Sequence, residues 1–245
     1  MALCGKPCQD HRPYMTDHDH TRRLFLLSSA FVLGGCASTS SGRSDGSRLP
    51  ELVWGTGGAS DQQATKTPAN ELLNVPKGVI ARSRWAKGEP IPALMNRMRP
   101  VKSITVHHDG MSAFSATGWN DSADRLESIR GAHLRRSPEP FGDIGYHFAV
   151  DPSGRIWQCR PLTWQGAHVR RQNQGNLGIV LMGNYDKQRP NRAQQAALVA
   201  FIEAQMKRYR VPVNAVKTHQ ELAATACPGR NLQAFMVMAR RGSLA

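Results

Sequence analysis

Residues 176–182, Asn-Leu-Gly-Ile-Val-Leu-Met, leave the chain few ways to fold. A strand that is apolar on both sides has no wet face, so it must lie inside a sheet that is covered above and below. The flanking sequence supplies the parts. Residues 102–107 and 146–150 read as strands, the second followed by the turn Asp151-Pro152-Ser153-Gly154 and a partner strand at 155–159. Helical periodicity appears at 121–134 and at 192–209, where Ala197, Leu198, Phe201, Ile202 and Met206 share one side, and residues 232–239 make a closing helix. Strands alternating with helices predict a single α/β domain, a central mixed β-sheet flanked by helices, over residues 76–240 with a tail at 241–245. No internal repeat is visible.

A second stretch, residues 217–230 (KTHQELAATACPGR), carries chemistry. His219 and Cys227 stand on either side of a short non-helical segment, and Pro228-Gly229 lets the chain fold back. An imidazole and a thiolate are natural ligands for zinc. A third donor is available in ITVHHDG at 104–110. Side chains alternate along a strand, so His107 and His108 face opposite ways and only one of them can join His219 and Cys227 at one ion. Three protein ligands and an open fourth position make a catalytic zinc site. A structural site closed by His108 or His168 is the alternative.

The N-terminal third bears on location. Thr21-Arg22-Arg23-Leu24-Phe25-Leu26 leads into an apolar run ending Leu33-Gly34-Gly35-Cys36, with the charged, apolar and small-residue regions of an export signal. The run is too short for a stable bilayer span. LGGC resembles the lipobox of bacterial lipoproteins, which implies removal of residues 1–35 and lipid attachment at Cys36. A plain signal peptide with a chance cysteine is the alternative, and the arginine pair also fits a twin-arginine signal. Met15 offers an alternative start. Residues 36–75, rich in Ser, Gly and Thr up to about Thr67, read as the lipidated cysteine and a flexible tether. The chain carries 32 Lys and Arg against 18 Asp and Glu, a net +14, which favours anionic partners. Export makes nucleic acid a poor choice among them and leaves a lipid surface or an acidic wall polymer. Of five cysteines only Cys36, Cys159 and Cys227 survive processing, so no disulfide framework remains; Cys159 reads as a small buried hydrophobe.

His107 in TVHHDG, GDIGYHF at 142–148, Gly154-Arg155-Ile156, Trp164-Gln165-Gly166-Ala167-His168, GNLGIVLMGN at 175–184 and His219 with Cys227-Pro228-Gly229 together resemble the zinc N-acetylmuramoyl-L-alanine amidases. That family is shared with phage T7-type lysozyme and the peptidoglycan recognition proteins. Arg82-Ser83-Arg84-Trp85 resembles the segment that opens a recognition-protein domain. The resemblance implies that His107, His219 and Cys227 hold one Zn2+ and leaves His108 to structure. It implies further that Tyr146 and Thr225 assist catalysis and that His168 and Trp164 line the substrate cleft. The implied reaction is hydrolysis, by zinc-activated water, of the amide between N-acetylmuramic acid and L-alanine. The partners would be peptidoglycan or muropeptides and, through the lipid, a membrane.

The match departs from the cytosolic recycling branch, which has an aspartate ligand and a central-strand glutamate. Here the ligand is Cys227 and the strand offers Val180 and Met182, so no carboxylate base is evident. Ala37 and Ser38 lack the aspartate of inner-membrane retention, which points to a periplasmic protein anchored in the outer membrane. A non-catalytic peptidoglycan-binding lipoprotein is the competing reading, opposed by the intact ligand set. A zinc peptidase is opposed by the lack of HExxH.

Overall fold

The apolar run does form a strand, Asn176–Leu181, with all six residues buried. The computed structural model describes residues 78–245. The expected export signal, Met15, Cys36 and the tether lie outside the described residues, as do the first two residues of the expected domain. Six strands are described: β1 (Val79–Ile80), β2 (Ser103–His108), β3 (Phe148–Val150), β4 (Ile156–Gln158), β5 (Asn176–Leu181) and β6 (Val216–Thr218). Three α-helices accompany them: α1 (Trp119–Leu134), α2 (Arg192–Tyr209) and α3 (Arg230–Arg241).

The strands form one mixed sheet in the order β1-β4-β3-β5-β2-β6. β3 and β4 are antiparallel, as their tight turn requires, whereas β2 runs parallel to both β5 and β6 and β3 runs parallel to β5. Parallel neighbours need crossover connections, and α1 and α2 lie in them. The registers Thr105↔Gly178 and His107↔Val180 place the alternate residues of β2 and β5 side by side. On one face Ile104, Val106, Leu177, Ile179 and Leu181 pack with Leu198, Phe201 and Ile202 of α2 and with Leu232 and Met236 of α3. On the other face Ala149, Trp157, Val180 and Met182 pack with Leu126 and Ile129 of α1. Helices thus cover both faces, and each fully buried anchor of α2 contributes about 1.5–3 kcal/mol.

Helix α2 occupies the span its periodicity predicts. It opens on a capping box in which the Asn191 side chain accepts from the Gln194 N–H at 2.9 Å and the Gln194 side chain accepts from the Asn191 N–H. Three expectations shift. The strand expected from residue 146 begins at Phe148, which leaves Tyr146 in the loop before it. Helix α3 runs to Arg241 and Leu244 is buried in the core, so the expected tail is anchored to the domain at Leu244 while its other residues are exposed. Helix α1 begins at Trp119, two residues before its apolar pattern, with Gly118 as a cap that offers no side chain. No described helix is long and apolar enough to cross a membrane.

Candidate metal and catalytic site

The three expected ligands converge at the C-terminal ends of parallel strands β2 and β6, where open α/β sheets commonly bind ligands. His107 is the fifth residue of β2 and points to the α1 face. His219 follows β6 directly, opening the 3-10 turn His219–Glu221. Cys227 reaches the same place because the Gln220 N–H donates to the Cys227 carbonyl at 2.8 Å. Behind it, Gly229 adopts a left-handed φ of 84° and starts α3; a Cβ there would stand 2.6 Å from the Tyr185 carbonyl carbon, so only glycine lets the helix start this close to the β5 loop.

One nitrogen or sulfur from each of His107, His219 and Cys227 lies within 4.8 Å of the others. His107 Nδ1 and Cys227 Sγ are 3.6 Å apart. Tetrahedral zinc with ordinary Zn–N and Zn–S bonds sets a nitrogen and a sulfur about 3.6 Å apart, so the donor set fits that ion. Burial and the neighbouring imidazoles hold the His107 pKa well below the usual histidine value, and burial lowers His219 as well. Both rings are therefore the neutral form a metal needs. Burial pushes the Cys227 thiol up to about 12, so in the absence of a cation it keeps its proton.

His108 faces the other way, as strand alternation requires. Its Nδ1 accepts from the Tyr185 N–H at 3.3 Å, and its ring lies among the residues of the β5 loop. Tyr146 packs its ring 5.1 Å from that of His107 and 5.7 Å from that of His133, and burial pushes its phenol above the ordinary tyrosine range. Thr225 is exposed on the loop between the two C-terminal ligands, where its hydroxyl accepts from the Cys227 N–H at 3.2 Å. Trp164 is half-buried beneath the Arg97 guanidinium, 4.5 Å from the ring centre. His168 is buried, with one ring nitrogen 3.0 Å from His107 Nε2 and the other against the Asn176 carbonyl.

Sequence reasoning gave no role to the groups that hold these elements in place. Asp143, fully buried, accepts from Arg82 through two bonds and from Arg130 through one, each 3.0 Å. Arg160, also buried, donates to the carbonyls of Phe141, Asp143, Ile144 and Gln165 and so fixes the irregular loop that carries Tyr146. The signal for both was present in GDIGYHF and in the arginine after Cys159, but a buried ion pair cannot be told from a solvated one by residue type.

The His219 turn has its own brace. Desolvation alone would raise the Glu221 pKa, yet hydrogen bonds from Arg240, the Thr218 N–H and Gln233 hold it at about 2. A folded-state pKa below the ordinary 4.5 means that this stabilisation is complete above about pH 4.5 and is lost as the pH falls toward about 2. Glu221→Gln should therefore flatten the decline of stability across that acid window and cost ~1 kcal/mol at neutral pH, since the pair is partly open to solvent and the amide keeps some of the hydrogen bonds. Urea unfolding at a series of pH values checks this, and equal acid slopes for the two proteins would contradict it.

Comparison with known proteins follows the same residues. The N-acetylmuramoyl-L-alanine amidase family model matches residues 97–230. The chain is 32% identical over 157 residues to a peptidoglycan-recognition protein of Drosophila simulans, covering 63% of this chain and 82% of that one. It is 30% identical to the N-acetylmuramoyl-L-alanine amidase of Mus musculus, covering 69% of this chain but 32% of that longer protein. Among solved structures, Drosophila PGRP-LB superposes with a TM-score of 0.59 at 23% identity, over 68% of this chain and 95% of that one, which is a likeness of fold. With the matched span running from before β2 to the start of α3, and so over all three convergent donors, the chain belongs to the N-acetylmuramoyl-L-alanine amidase family.

Proposed function

We propose that this protein is a zinc-dependent amidase that hydrolyses the bond between N-acetylmuramic acid and the L-alanine of the stem peptide. The observation that carries the reading is the complete donor set of His107, His219 and Cys227 beside the Tyr146 ring. Zinc, when bound, supplies a Lewis acid for the scissile carbonyl and a water of lowered pKa. The rest falls to the chain. Tyr146 keeps its phenolic hydrogen at any working pH, because burial raises its pKa, so it is a permanent donor beside the reacting carbonyl. Thr225 offers a hydroxyl from the exposed loop opposite. On the site face of the central strand Val180 and Met182 are fully buried and apolar, so no carboxylate of β5 receives the proton.

Several proteins of this fold have been solved with wall fragments, among them peptidoglycan recognition protein LE with tracheal cytotoxin and human PGRP-IβC with glycosamyl muramyl pentapeptide. Those ligands support a muropeptide as the substrate here. They equally suit a binding protein that does not cut, and Tyr146 separates the two. Tyr146→Phe keeps the ring and touches no metal donor, so fold, zinc content and muropeptide binding should be unchanged. A donor used only in the transition state lowers kcat and kcat/KM together, here by about a hundredfold. Steady-state hydrolysis of a soluble muramyl-peptide, followed by mass spectrometry, measures it. An unchanged kcat removes Tyr146 from the mechanism. Muropeptide binding without hydrolysis by the zinc-loaded wild type establishes the binding protein instead.

A further inference from the structure

His168 is held in a slot that only glycine permits on two sides. A Cβ at Gly178 of β5 would stand 2.6 Å from His168 Cδ2, and a Cβ at Gly166 would stand 2.4 Å from the same atom. In that slot both ring nitrogens are engaged by the protein: Nε2 lies 3.1 Å from the Asn176 carbonyl oxygen and Nδ1 lies 3.0 Å from His107 Nε2.

Donor and acceptor rules decide where the hydrogens are. A carbonyl oxygen can only accept, so His168 Nε2 carries a hydrogen. A neutral imidazole has one N–H, so His168 Nδ1 is bare and accepts. Its partner, His107 Nε2, must then be the donor. That leaves the lone pair of His107 on Nδ1, the atom 3.6 Å from Cys227 Sγ. The neighbouring His147 is set in the same way, accepting the Gly178 N–H on Nδ1 at 3.0 Å and donating from Nε2 to the Trp164 carbonyl at 3.1 Å.

We infer that His168 is a positioning residue of the metal centre, a relay through which the Asn176 carbonyl fixes the tautomer of His107 and presents Nδ1 to the ion. The inference rests on the amidase reading only in taking His107 as a metal donor. Partners that orient a metal-bound histidine in this way commonly contribute about 10–100-fold in metal affinity.

The test uses the full chain with ring nitrogen-15 labelling and zinc alone as the probe. In metal-free wild type, long-range proton–nitrogen spectra should show His107 and His168 each carrying hydrogen on Nε2. His168→Phe fills the slot but offers no acceptor, so His107 should lose its single tautomer and zinc should bind about 10–100-fold more weakly in a chelator competition. His168→Gln can accept from His107 and donate to Asn176, so it should bind zinc within a few fold of wild type. A hydrogen on His107 Nδ1 in wild type overturns the inference, as does zinc binding by His168→Phe as tight as wild type. Should the phenylalanine variant not fold, the wild-type ring signals decide. None of these readouts needs turnover, so absence of hydrolysis would overturn the amidase reading alone.

Discussion

Serine at position 227 is expected to leave a folded domain that neither holds zinc nor hydrolyses muropeptides. The oxygen of Cys227→Ser is isosteric enough to accept the same packing beside His107 but does not ionise as a thiol does, and a neutral hydroxyl is a poor zinc ligand. Groups one step removed from a metal already contribute about 10–100-fold in affinity, so a direct ligand should exceed about a hundredfold. His219→Ala should behave alike. His108→Ala should retain zinc, because that ring faces the β5 loop and Tyr185. Metal analysis of the purified variants beside hydrolysis assays checks all three. Stoichiometric zinc in Cys227→Ser, or loss of zinc in His108→Ala with retention in His107→Ala, would reverse the ligand assignment.

The largest loss of stability is expected from Asp143→Ala. The carboxylate is fully buried between Arg82 and Arg130, whose side chains are themselves 7% and 8% exposed. Removing it takes the one fully buried carboxylate from both guanidinium groups and leaves Arg130 its pair with Glu127 at 2.9 Å and Arg82 a longer one with Glu89 at 3.8 Å; breaking a buried pair in this way typically costs about 3–5 kcal/mol. Domains are commonly stable by only about 5–15 kcal/mol, so the midpoint of thermal unfolding should fall by roughly 10 °C. Tyr146 lies three residues further along the same loop, and activity should decline with the loosening of that loop even below the melting range. Denaturant titration measures the effect, and a loss under about 1 kcal/mol would show that Glu127 and Glu89 suffice as partners for the two arginines.

What could be read from the sequence follows the length and regularity of its signals. Asn176–Leu181 and Arg192–Tyr209 were legible because a run from Leu177 to Met182 without a polar side chain and eighteen residues of 3.6-fold spacing leave one physical solution each. The opposite facing of His107 and His108 was legible for the same reason, since strand alternation is a fixed geometry. β1 and β6, two and three residues long, are too short to show any period. β6 exists because Ile104 and Val106 of β2 offer it an open edge, which is a tertiary cause. The resemblance implied a catalytic Tyr146 but not its loop setting, because β3 starts only at Phe148 and the segment before it is held by the grip of Arg160 on surrounding carbonyls. The resemblance implied a cleft-lining His168, whereas its contacts with His107 and Asn176, and the hydrogens they require, follow only from the distances.

The strand that carries His107 is enclosed between β5 and β6, and both of its fellow donors, His219 and Cys227, are more than a hundred residues away in the chain, Cys227 by 120. Parallel pairings of such separation form late, because the entropy of closing long loops is lost before any contact is gained. Before the sheet forms, His107 is remote from the local pair His219 and Cys227, so an ion meets at most two donors rather than the full set. The three-donor set is therefore complete only once β6 has paired with β2. On the proposed reading zinc stabilises the finished domain by mass action, adding about 2.7 kcal/mol when free ion stands at a hundred times its dissociation constant and nothing when it is scarce. On that reading the stability of the folded protein is tied to the zinc supply of its compartment.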